Sequence, residues 1–128
     1  MSGIIDIVVN LYTPQEVELG QTGLDDDFKK QVRMPEEMRG GVSIPDYINK
    51  MDQAGIERSL LIAVRAGDIR VQESFEVPYE SVHKVCNEHP DRFSGLAGID
   101  PFRGMEGLKD LEYACLLYTS PSPRDLRK

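Results

Sequence analysis

The sequence is short of cysteine, histidine, cationic residues and long apolar runs, and each shortage argues against a class of function. Its two cysteines, Cys86 and Cys115, form no C-x-x-C pair, so neither a disulfide framework nor a zinc knuckle is indicated. Cys86 falls on the apolar side of a helical stretch, where a thiol acts as a small hydrophobe. The two histidines read as structural or solvated: His83 sits among polar residues, and His89 lies at a helix end, where the dipole favours a cation. Fifteen Lys and Arg against 22 Asp and Glu leave a net charge of −7, the wrong sign for nucleic acid or an anionic membrane as partner. No apolar run approaches the ~20 residues of a membrane span. The N-terminus lacks the basic start and cleavage site of a signal peptide, so the expected compartment is the cytoplasm. The acidic run 25–27 lacks the glycine and distal glutamate of a calcium loop and reads as a solvated helix start.

What is present is a repeated helix–strand step. In residues 43–64, SIPDYINKMDQAGIERSLLIAV, Ser43 caps a helix whose apolar positions recur at spacings of three and four. Gly55 supplies the left-handed stop, and a strand over 59–64 follows, apolar on both faces. The step recurs over 78–99, with a helix striped by Tyr79, Val82, Val85 and Cys86, then a strand over 93–99 whose Gly95 and Gly98 permit a neighbouring backbone to approach. A strand over 4–11 precedes both and suits cover on both faces. Alternation puts Asp6, Val8 and Asn10 on one side of it and Ile5, Ile7, Val9 and Leu11 on the other. Thr13, Pro14 and Glu16 open a short helix with a capping box, and a second helical piece is expected over 25–33. The connection to Ser43, about thirty residues, reads either as a substrate loop or as surface decoration. A third helix begins near Leu108 and Leu111. The architecture predicted is α/β with a parallel sheet.

The stretches IIDIVVNL, YINKMDQAGIERSLLIAV and HPDRFSGLAGIDP resemble the amidohydrolase-related branch of the amidohydrolase superfamily. The specific motifs are M-D-x-A-G-I-x-R before the second strand and H-P-D-R-F before the third, and the likeness spans residues 3–114. It implies a (β/α)8 TIM barrel, of which 128 residues would supply only the first three βα units with parallel strands in the order 1-2-3, since such barrels need ~250. It also implies a metal-dependent hydrolase or non-oxidative decarboxylase acting on a small carboxylated or aromatic compound, with homo-oligomerisation of the parent left open. The family usually ends its first strand with D-x-H-x-H, whose histidines hold a zinc-type divalent metal. Here those positions are Val8, which has no donor, and Asn10, which offers only a neutral oxygen. No metal ligand is therefore assigned, and the parent has a rearranged site, no metal, or no catalysis.

Barrel enzymes work at the C-terminal ends of their strands. On that rule Asn10 and Asp100 are candidates for catalysis, joined by Asp6 lower in the barrel, and Arg65, Asp68 and Arg103 are candidates for binding substrate. Arg65 is favoured as a carboxylate clamp because a guanidinium matches a carboxylate bidentately; a salt bridge holding its own loop is the alternative. Asp6 is placed either to orient Asn10 or as a carboxylate satisfied by backbone. After Ala114 the helical period stops. Residues 115–125 resemble the conceptual translation of a transposase adapter used in sequencing libraries, so 115–128 is expected to be a non-native tail on a unit spanning 1–114. Two other readings stay open: a complete, non-catalytic flavodoxin-like binding module, although no G-x-G-x-x-G follows the first strand, and a catalytically dead barrel. A three-strand piece of a barrel would be inert alone and prone to aggregate.

Overall fold

A computed structural model describes residues 3–22, 24–66 and 75–118. Strand β1 (Ile4–Asn10) leads into two short helices, α1 (Pro14–Glu18) and α2 (Asp26–Gln31), and a 3-10 turn at Glu36–Met38. Then come α3 (Ile44–Ala54), β2 (Ile56–Ala63), the two-residue strands β3 (Arg65–Ala66) and β4 (Phe75–Glu76), α4 (Tyr79–Glu88) and β5 (Phe93–Ala97). A 3-10 turn at Pro101–Arg103 precedes α5 (Met105–Tyr118).

Local chemistry explains most boundaries. Glu16 accepts from both the amide and the hydroxyl of Thr13, completing the capping box at α1. Asp25 accepts the Phe28 amide at 2.6 Å, so the acidic run is indeed a helix start. Ser43 caps α3, and Gly55 ends it at φ 73°.

β1, β2 and β5 form one parallel sheet in the order β1-β2-β5, the expected 1-2-3 succession of the long strands. Ser59, Leu61 and Ala63 of β2 point into the core together with Val9, Met51, Val82, Val85 and Phe93. Helices α3 and α4 pack on this face, and α5 joins them through Tyr118, whose ring lies over Gly95 beside Val82. A Cβ on Gly95 would meet that ring at 3.0 Å, so it is side chains that close on this glycine; at Gly98 the neighbour is the Ala63 carbonyl, 2.7 Å from a built Cβ. The opposite face carries Leu60, Ile62, Ser94 and Leu96 in register, and none of the three apolar residues joins the core. A doubly wound module would carry helices on both faces; here all three long helices share one.

Three expectations need correction. β1 is not covered on both faces: it is an edge strand, with Ile7 62% and Val8 65% exposed. Nor does it alternate cleanly. Asp6 pairs with Ser59 and Val9 with Leu61, so three steps on β1 match two on β2 and the extra residue is a bulge. Asp6 thereby falls on the helix-bearing side while Asn10, paired with Ile62, falls on the other. In the segment after β2, the short strands β3 and β4 pair antiparallel. Finally, the helix expected to stop at Ala114 runs on to Tyr118, which packs on Tyr79 and His83; residues 119–128 lie outside the described residues.

The two resemblance motifs interlock at the N-terminal end of the sheet. Arg58 donates to the Pro90 and Phe93 carbonyls and to Ser94 Oγ. Arg92 reaches back to the Glu57 and Ile56 carbonyls at 2.9 and 3.0 Å and pairs with Asp52 at 2.8 Å. Each arginine fork closes carbonyls that the turns between helix and strand leave open, so these motifs hold the fold together.

Candidate functional site

At the C-terminal ends of β2 and β5, the loops, the first turn of α4 and the middle of α5 enclose a cavity of about 200 Å3, lined by Glu76, Tyr79, Glu80, Asp100, Asp110 and Tyr113 among others. Asp100 is buried, and its carboxylate accepts the Phe102 amide at 2.9 Å, capping the turn that follows. Tyr79 donates to the Gly98 carbonyl at 2.6 Å, which fixes the wall between β5 and α4. Tyr113 donates to Glu80 at 2.9 Å; that hydrogen bond, then the carboxylate's charge, raises its hydroxyl above the usual tyrosine range. Four carboxylates line this cavity, and Arg103 is engaged at 3.1 Å with one of them, Asp110.

The structure brings Asp100 and Arg103 together, through Asp110. It does not bring Asn10 or Asp6 to them. Asn10 is exposed and lines a second cavity, at the end of β1. Asp6 takes the amide of Val8 at 3.3 Å across the bulge, so it is satisfied by its own backbone and does not orient Asn10. The backbone of Arg65 pairs with Glu76 in the β3–β4 ladder, which sets the residue at the exit of β2. Asp68 lies outside the described residues. Glu76, Glu80, Asp110 and Tyr113 went unnoticed in the sequence because they come from three separate elements with no shared spacing.

A zinc-type site at the end of β1 does not fit these residues. Val8 projects into solvent without a donor atom, Asp6 is turned to the local backbone, and Asn10 contributes one neutral oxygen. Among the described residues no three His, Cys, Asp or Glu side chains converge as a metal ligand set. Cys86 is equally unsuited to nucleophilic work: burial raises its thiol, and the partial opposing effect of Arg58 leaves it protonated.

The second cavity, about 140 Å3, lies between β1, the start of α3 and the segment that carries Met38 and Val42. Its lining is almost wholly apolar, in contrast to the acidic cavity at the other end of the strand row. Among the described residues no helix is long and apolar enough to cross a membrane. No family model, curated protein or solved structure matches the chain.

Proposed function

We propose that this chain forms the first three βα units of a barrel enzyme of amidohydrolase-related type, whose full-length form hydrolyses or non-oxidatively decarboxylates a small carboxylated compound. The observation that carries the reading is the one-sided sheet. Three parallel strands follow one another in chain order, the long helices lie on one face, and Leu60, Ile62 and Leu96 are left on the other. In a barrel that second face becomes an interior filled by side chains from all the strands. The sequence resemblance supports the same reading.

The carboxylate of the substrate belongs on the open face, with Arg65 and Asn10 at the strand ends. Arg65 clamps the carboxylate through a bidentate pair, and the neutral amide of Asn10 orients the substrate without adding negative charge. Asp100 supports the loop after β5 by capping it. The chain alone is inert, because residues from later strands are needed to complete a site built by eight.

The test uses the full-length protein encoded by the genomic reading frame that continues past Ala114. Arg65→Met is expected to raise KM for carboxylated substrates about 10- to 100-fold, the loss of a charge-assisted pair. Uncharged esters or amides of the same acid should be insensitive to the change. A frame that encodes no further strand–helix repeats, or unaltered kinetics in Arg65→Met, would overturn the reading.

A further inference from the structure

We propose that the pocket at the end of β1 binds a single uncharged aromatic ring of the size of benzene or phenol. The walls are Val9, Leu11, Val42, Ile44, Tyr47 and Leu61, which expose almost no polar surface inward. The polar groups beside them are already committed elsewhere. The Tyr12 hydroxyl donates to the Arg39 carbonyl at 2.8 Å, and the Thr13 hydroxyl and amide both go to Glu16. Water in such a space would lack the two to four partners it needs, so an apolar occupant is favoured over solvent. A volume of about 140 Å3 matches one ring: a dry apolar cavity of about 150 Å3 in another protein admits benzene. The Tyr47 ring supplies an aromatic wall, held in place by stacking on Phe93 with centroids 5.9 Å apart.

Two further features narrow the ligand. Asn10 stands at the rim, but its register with Ile62 sets it on the face of the sheet opposite α3, and the lining exposes almost no polar surface, so no side-chain hydrogen bond awaits a polar group of the ligand. A carboxylate or ammonium would find no countercharge in the lining, which makes a charged ligand costly to desolvate. The pocket is also preformed. The Val42 amide donates to the Tyr12 carbonyl at 2.8 Å, and Gly41 lies so close to Thr13 and Pro14 that its segment is pressed against the end of β1. A site with fixed walls avoids the ordering cost of closing around a ligand. The inference rests on this lining alone and stands apart from the enzyme reading.

The test is a titration of the 128-residue chain with phenol, benzene and benzoate, followed by the methyl NMR signals of Val9, Leu11, Val42, Ile44 and Leu61. Phenol is expected to saturate these shifts with a Kd on the order of 1 mM, and benzoate to bind at least tenfold more weakly. Asn10→Ala should leave phenol and benzene binding unchanged, because its amide lies on the other face of the sheet. Val42→Phe and Ile44→Phe each fill the space from a different wall, and whichever keeps the parent methyl spectrum should lose phenol binding at least tenfold. Absence of saturation by phenol in the unaltered chain overturns the proposal, as does phenol binding that survives a folded filled variant. Benzoate binding as tight as phenol also overturns it.

Discussion

Replacing Gly41 with alanine should unfasten the wall of the β1 pocket and cost much of the stability of the chain. The residue sits at φ +98°, where side chains are strained, and a Cβ built there falls 2.5 Å from the Pro14 nitrogen and 2.6 Å from the Thr13 carbonyl carbon. Both are backbone atoms, so no rotamer change relieves the clash. A non-glycine residue in such a conformation costs about 1–2 kcal/mol, and overpacking against a fixed neighbour costs about 1–3 more. The smaller entropy of the unfolded alanine chain offsets roughly 0.4–1 kcal/mol. The net expectation is about 2–4 kcal/mol, a large share of the ~5–15 kcal/mol that holds an ordinary domain together. With a urea slope near 1.5 kcal/mol/M the midpoint should fall by roughly 2 M, and the Val42 amide, bonded to the Tyr12 carbonyl, should lose its exchange protection. Two neighbours supply the controls. Gly20 has φ +68° with nothing within 4 Å of a Cβ, so Gly20→Ala should cost only the conformational part, about 1–2 kcal/mol. Gly40 has open space and an ordinary φ, so Gly40→Ala should be neutral or slightly stabilising. Equal midpoints for the Gly41 and Gly40 variants, measured at low-micromolar concentration, would refute the reasoning.

Other consequences are as direct. Ser59 is fully buried in the core, and its hydroxyl has no hydrogen-bond partner among the described residues; Ser59→Ala should therefore stabilise the chain by about 1 kcal/mol, read as a higher urea midpoint. The Tyr118 hydroxyl is raised well above its usual 10.0, first by burial and then by the charges of Cys86, Tyr79 and Glu80. The folded state thus keeps this proton after the unfolded chain has released it, so the stability Tyr118 contributes is full below pH 10 and lost as pH rises beyond that. A pH series of melting curves should show this alkaline loss reduced in Tyr118→Phe, and an unchanged slope would remove Tyr118 from the account.

The helix–strand steps were legible because each is written locally. Ser43 and Gly55 bracket α3, and the apolar run after Gly55 can only be a buried strand. The bulge in β1 was not, since it arises from pairing with β2 and from the turn of Asp6 toward its own backbone. That one residue separated Asp6 from Asn10 and dissolved the polar face that alternation had suggested. β3 and β4 were invisible because two residues carry no period. Of the candidate site, Asp100 was readable from its place at a strand exit before proline, whereas Glu80, Asp110 and Tyr113 meet only once α4 and α5 are docked. The motifs that carried the resemblance turned out to be the arginine staples at the opposite end of the sheet. They say much about how the units are held and little about what the strand ends do.

Sedimentation velocity of the 128-residue chain beside an Ile62→Lys/Leu96→Lys variant tests the central claim most directly, that the second face of the sheet is built to be covered. The unaltered chain should self-associate as concentration rises and bind an apolar dye, because Leu60, Ile62 and Leu96 offer a contiguous surface next to an exposed edge strand. The double variant should keep its helix content and lose both behaviours. An unaltered chain that stays monomeric at every concentration, binds no dye and melts in one cooperative step would contradict the claim.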